Sequence, residues 1–366
     1  MGEALGAPAG RARDGGRAPG EPGIFAALDL GTNNCRLLIA APTAAGFRII
    51  DAFSRIVRLG EGLSQSGRLG EASMRRAMGA LRVCADKIGR RGASRVRAVA
   101  TQACRSAANG PGFVEEVARQ TGLRLAIISP REEARLSVAG CLDLLDRGAR
   151  AALILDVGGG STEMSWIDLT APGLDVGPRQ MTLRRLPIKA WLSTPIGVVT
   201  LAERFPEPPV AGQAWFRSMV DAMKARIATF AGAEALRGAF VAGDAHLIGA
   251  SGAITSLAGL HLGLAKYDRS QVDGLWMTRA QCVAAAARLA ALTVAERAAQ
   301  PCVGRGRADL VLAGAAILQA VQEIWPCERV RVADRGLREG LLLSLMSDRR
   351  ARRGGRSRRP SGGAPR

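Results

Sequence analysis

The chain has 366 residues, 48% of them hydrophobic and 23% charged, which is enough apolar material for the cores of two domains and excludes wholesale disorder. No stretch approaches the ~20 uncharged apolar residues of a membrane helix and the N-terminus lacks the apolar core of a secretion signal, so a cytoplasmic protein without a membrane partner is expected. The formal charge of +19 suits a polyanionic partner, but 47 of the 51 basic residues are arginines in an Ala/Gly-rich chain and only 4% of residues are aromatic, so no dedicated nucleic-acid domain is expected.

Residues 1–21 hold Gly, Ala, Pro and charge without apolar periodicity and read as a disordered tail. Ile24–Leu30 reads as a strand, Gly31–Asn34 as a turn, Cys35–Ala41 as a second strand and Phe47–Leu59 as a third. Met74, Ala77, Met78, Leu81, Cys84 and Ile88 recur on one helical face. A strand at Val96–Thr101, a helix around Phe113–Thr121, a strand at Leu123–Ile128 and a helix from Pro130 to Leu145 follow, and strands alternate with helices to the end. This is an α/β pattern. Residues 347–366 carry eight arginines among Gly, Ser and Pro and read as a disordered basic tail, either a solvated end or an arm that gathers polyanions.

The chain repeats itself. Asp29 and Asp156 each close a strand and lead into a Gly-rich turn and a second strand, and they stand 127 positions apart, as do Gly31 and Gly158. Two copies of one device predict two similar domains, over 22–147 and 148–346, facing each other across a cleft. The competing reading is two unrelated hairpins that both needed glycine. The seven cysteines are scattered without a C-x-x-C pair and are expected as buried thiols, and the two histidines, His246 and His261, as structural side chains.

The turn Asp156–Glu163 (DVGGGSTE) offers backbone N–H groups freed by glycines taking φ > 0, with hydroxyl donors from Ser161 and Thr162, a combination that cradles phosphate. Asp156 is positioned to hold Mg²⁺ directly or through water, and Asp29 with Thr32 and Asn33 supplies the same parts from the other side. A hydrolase also needs a base for water. Ser129-Pro130-Arg131-Glu132-Glu133 reads as a helix start, with Ser129 as N-cap and Glu132 closing a capping box. Glu133, about 100° further round the helix, is then free for chemistry. Both glutamates merely favouring the positive helix end is the alternative.

Asp29–Arg36 (DLGTNNCR), Ala100–Arg105 (ATQACR), Glu132–Arg135 (EEAR), Asp156–Glu163 and Asp334–Gly340 (DRGLREG) occur in this order. Together they resemble the Ppx/GppA family of exopolyphosphatases and guanosine pentaphosphate phosphohydrolases, over roughly residues 24–346. The resemblance implies an α/β chain of two ribonuclease-H-like domains of the actin-like ATPase fold and Mg²⁺-dependent hydrolysis of a terminal phosphate in the cleft. Its catalytic glutamate matches Glu133. Its phosphate and metal positions match Asp156, Gly158 and Glu163, and its phosphate-contacting arginines match Arg36 and Arg105; the residue reading adds Asp29 for the metal and Gly159, Gly160, Ser161 and Thr162 for the phosphate. The chain departs from the family at Gln102, where Glu is common, and at Pro130, where Gly is usual. Residues 170–192 read as an insertion, and Gly249–Thr255 as either a further phosphate-facing turn or a tight helix–strand packing. Inorganic polyphosphate is the expected substrate and guanosine pentaphosphate the competitor. A sensor of such polyanions and an actin-like nucleotide switch or kinase are the alternatives, and a homodimer is kept open.

Overall fold

The computed structural model describes residues 23–43, 46–171, 186–209 and 212–356, with side chains as far as Ser347. Its centre is two β-hairpins of the same design. Strand β1 (Phe25–Leu30) pairs antiparallel with β2 (Asn34–Thr43), which pairs with β3 (Gly46–Ile56), while β4 (Arg95–Ala100) lies parallel on the other side of β1 and β5 (Leu125–Ile127) beyond it. In the second sheet β6 (Ala151–Val157) pairs antiparallel with β7 (Thr162–Asp168), β7 with β8 (Ile188–Thr194), and β9 (Ala245–Ala250) runs parallel to β6. Next come β11 (Arg329–Ala333), parallel to β9, and an added edge strand β10 (Trp276–Thr278). The orders β3-β2-β1-β4-β5 and β8-β7-β6-β9-β11 match strand for strand, which is the duplication expected from the repeat, in the ribonuclease-H-like form that the family resemblance implies.

The central strands are apolar on both faces because helices cover both sides: Ala26 and Leu28 of β1 face one core with Leu81 and Val117, while Phe25 and Ala27 face another with Leu136, Leu341 and Leu345. The final helix, Leu337–Arg356, therefore packs on the first sheet, although its opening residues fall beyond the expected domain boundary at 147/148. Its Leu341, Leu342 and Leu345 stripe needs an apolar face, and the β1/β2/β4 surface supplies one. The helical backbone also runs to Arg356, into the segment expected to be disordered. Residues 1–22 and 357–366 lie outside the described residues. So do 172–185 of the expected insertion, whereas its end is not inserted material: Ile188–Leu192 belongs to the edge strand β8.

The helix Pro130–Cys141 crosses this last helix at two glycines. A Cβ on Gly340 would sit 2.0 Å from the Leu136 carbonyl oxygen, and one on Gly140 2.0 Å from that of Gly336. Gly340→Ala is expected to destabilise the protein by about 1–3 kcal/mol, the usual cost of overpacking. An unchanged urea midpoint would show that the two helices have room to part.

All seven cysteines are buried free thiols, as expected. His246 is fully buried and accepts a hydrogen bond from the Asp146 N–H at 3.3 Å; burial pushes its pKa down to about 4. His261 is exposed at the end of the helix Gly252–His261.

Candidate active site

The two glycine-rich turns meet in a cleft of about 440 Å³ lined from both halves of the molecule. They touch directly: a Cβ on Gly159 would lie 2.9 Å from the Asn33 nitrogen, and one on Gly160 only 1.9 Å from Gln102 Oε1. At Gly159 and Gly160 close approach, rather than φ > 0, is what requires glycine, since none of Gly31, Gly158, Gly159 and Gly160 takes a positive φ. Thr32 Oγ1 donates to Gln102 Oε1 at 3.0 Å, so Gln102 joins the first turn to the second. The carbonyls of Gly158 and Gly159 accept from Val198 and Val199 N–H at 3.0 and 2.7 Å, at the start of the helix Val198–Arg204. The N–H groups of Gly159 and Gly160, by contrast, have no acceptor among the described residues. Open N–H groups on a glycine turn form an anion-binding concavity.

Strand register decides which side chains stand over these turns. Asp29 lies opposite Arg36, and Asp156 opposite Glu163, at matching places in the two hairpins. The duplication is thus broken at one position: an arginine faces the first aspartate and a glutamate the second. Asp29 Oδ1 is buried without a hydrogen-bond partner. Burial pushes this carboxyl up to about 6, against the opposing pull of Arg36 and Arg338. Burial likewise raises Asp156, again opposed by Arg36. Glu163 is pushed up to about 7, first by burial and then by the charge of Asp156, while Ser193 Oγ donates to its Oε1 at 2.8 Å.

Glu133 reaches the cleft from the N-terminal turn of its helix and is 8% exposed. Its pKa is raised well above the ordinary carboxylate range by burial and then by Glu163, while Arg105 pulls the other way. The Ser129 cap forms, with its Oγ accepting from the Glu132 N–H at 3.2 Å, and Pro130 opens the helix. Only half of the expected capping box is present: the Glu132 carboxylate turns instead to Arg97 on β4, a charged partner that outcompetes a backbone N–H.

Thr32, Asn33, Arg36, Gly158, Gly159, Gly160 and Ser161 line the cleft together with Asp29, Asp156 and Glu133. Two expected phosphate ligands are engaged elsewhere. The Thr162 hydroxyl is buried and donates to the Ile196 carbonyl at 2.6 Å, because strand alternation turns it away from the cleft. Arg105 Nη1 donates to the Ile128 carbonyl at 2.7 Å and to Glu133 Oε2 at 3.1 Å, which makes this arginine the holder of the glutamate. In Gly249–Thr255, Gly249 packs tightly against Ile254, as the packing reading expects, and Ser251, Gly252 and Thr255 line the cleft.

Arg269, Arg307 and Arg338 also line the cleft and were not read from the sequence. Arg338 sits inside the Asp334–Gly340 motif, which was the available signal. Nothing local marks Arg269 or Arg307.

The Ppx/GppA phosphatase family model matches residues 38–349. Exopolyphosphatase 2 of Mycobacterium tuberculosis is 30% identical over 336 residues, which cover 87% of this chain and 98% of that protein. The guanosine-5'-triphosphate,3'-diphosphate pyrophosphatase of Aeromonas hydrophila is 27% identical over 326 residues, 89% of this chain, and the chain spans only 60% of that relative's length. Among solved structures, a Ppx/GppA family member from Aquifex aeolicus matches with a TM-score of 0.70 at 26% identity, covering 89% of this chain and 98% of the other. Duplicated hairpins, a cleft that gathers the ordered motifs and a match over most of its length show that this chain belongs to the Ppx/GppA phosphatase family.

Proposed function

We propose that this chain is a phosphohydrolase that releases the terminal phosphate of inorganic polyphosphate. The observation that carries this reading is Glu133, buried in the cleft, held by Arg105 and facing two touching phosphate-type turns. Arg36 and the open N–H groups of Gly159 and Gly160 would bind the non-bridging oxygens of the terminal phosphate. A water between Glu133 and the phosphorus attacks while Glu133 accepts its proton. The phosphoanhydride bond breaks and the shortened chain leaves with the electron pair on its terminal oxygen.

The residues present fit a divalent cation. Asp29 has a buried, unpartnered oxygen, and burial raises the pKa values of Asp29, Asp156 and Glu163, a penalty on their charged forms that a bound cation would offset. Among the described residues no three or more Asp, Glu, His or Cys side chains form a metal cage. Mg²⁺ commonly takes one or two carboxylates and completes its shell with water and phosphate oxygens. Asp29 and Asp156 would hold it, with Glu163 through water, and it would neutralise charge on the phosphate.

Polyphosphate is favoured over a nucleotide because the cleft offers five arginines (Arg36, Arg269, Arg307, Arg335 and Arg338) to a polyanion and a single aromatic ring, Tyr267, to a base. The likeness to the Mycobacterium exopolyphosphatase, matched over nearly its whole length, points the same way. The Aeromonas likeness supports guanosine pentaphosphate as the second substrate. Phosphate release from polyphosphate, guanosine pentaphosphate and ATP, each with Mg²⁺ and with excess chelator, tests the reading. Polyphosphate is expected to turn over fastest, and only with the metal. Tight binding without release would make the protein a sensor, and preferential ATP turnover would make it a nucleotide switch.

A further inference from the structure

One segment of the first half, Val57–Ser64, is held from three sides. Its backbone supports the first phosphate turn: Val57 and Arg58 N–H both donate to the Asn33 carbonyl, at 2.8 and 3.0 Å, and Gly60 N–H donates to that of Thr32 at 2.9 Å. Arg76, on the helix Glu71–Arg90, donates to the carbonyls of Val57 and Arg58 at 2.9 and 3.3 Å.

Two carboxylates of the second half reach across to the same segment. Asp309 takes a two-pronged ion pair from Arg58, at 2.8 and 2.9 Å. Glu203 accepts from Gly62 N–H at 2.8 Å and from Ser64 Oγ at 2.6 Å. Neither carboxylate lines the cleft, but each lies close in sequence to residues that do. Glu203 lies in the last turn of the helix Val198–Arg204, whose first N–H groups hold the Gly158 and Gly159 carbonyls. Asp309 stands two residues beyond Arg307, which lines the cleft. Arg58 is also the one non-glycine residue with positive φ among the described residues, at 47°. Strain of this kind persists only where surrounding contacts over-determine it, and it collects at functional positions.

We propose that Val57–Ser64 is a clasp that sets the distance between the two phosphate turns, with Arg58 and Glu203 as positioning residues for the phosphohydrolase reading on which this inference rests. The Arg58–Asp309 and Glu203 contacts hold the halves together. The backbone bonds to Thr32 and Asn33 pass that closure to the first turn, and the Val198–Arg204 helix passes it to the second. Loss of the clasp leaves every phosphate-binding group in place but misaligned, so kcat falls while KM stays.

The test uses full-length protein carrying spin labels at Arg75→Cys on the first half and Ala284→Cys on the second, both exposed, while the native cysteines are buried. Pulsed electron-paramagnetic-resonance distances and kinetics on polyphosphate are then compared between the parent and the Asp309→Asn/Glu203→Gln pair. The expected result is a broadened distance distribution and a kcat at least tenfold lower, with KM within threefold. The charge swap Arg58→Asp/Asp309→Arg, whose aspartate tolerates the positive φ, is expected to restore a narrow distribution and at least half of kcat. An unchanged distribution, a kcat within twofold of the parent, or a swap no better than Asp309→Asn alone overturns the proposal. A native chain that releases no phosphate from any substrate refutes the phosphohydrolase reading, while the distance measurement still decides the clasp.

Discussion

Glu133→Gln is expected to lower kcat by about 10²- to 10⁴-fold, the usual worth of a general base, while binding of polyphosphate stays within a few-fold of wild type. The amide keeps the shape of the side chain and still offers Arg105 an oxygen acceptor in place of the 3.1 Å contact, so the site is preserved and only proton acceptance is lost. Its sequence neighbour is the control. Glu132 pairs with Arg97 away from the cleft, and its side chain is 42% exposed. Glu132→Gln is therefore expected to change kcat less than twofold and to cost at most about 1 kcal/mol of stability, as partly exposed ion pairs do. Equal losses of turnover from the two substitutions, measured by single-turnover phosphate release, would refute this division of labour.

Asp29→Asn is expected to make the metal-free protein more stable at pH 8 and at the same time to remove its Mg²⁺-dependent activity. The sign follows from proton binding. The folded state holds the Asp29 proton more tightly than the unfolded chain, with a pKa of about 6 against an ordinary 3.8. Its contribution to stability is therefore full below about pH 4 and is lost as pH rises through 6. At pH 8 the wild type carries a buried charge that asparagine never acquires. The shift corresponds to about 3 kcal/mol. Urea unfolding at pH 4 and pH 8 measures it: the gap between variant and wild type should be small at the lower pH and open at the higher. Mg²⁺ should raise the wild-type midpoint at pH 8 more than that of the variant. A variant less stable than wild type at pH 8 would show that the Asp29 carboxylate is already compensated without a cation.

Much of the site was legible because it is written in short stretches of backbone chemistry. Asp29–Arg36 and Asp156–Glu163 announced two hairpins of one kind, and their equal spacing announced the duplication that the two sheets display. Ser129-Pro130 located a helix start, and one residue of rotation separated Glu133 from Glu132. Caps, turns and strand alternation depend on neighbours within a few positions, so they survive without knowledge of the rest of the chain.

The tertiary structure decided what each side chain does when several partners compete for it. Arg105 serves Glu133, the Thr162 hydroxyl serves the Ile196 carbonyl, and Glu132 leaves its own helix end for Arg97. Glycine at 159 and 160 is required by the opposite turn pressing against it, not by its own backbone angles. The last helix returns to the first sheet, and Arg58 meets Asp309 across 251 positions of sequence. These outcomes depend on which surfaces the folded chain brings within a hydrogen bond's reach. No local pattern records that distance, because it is set by the packing of both sheets and the helices between them.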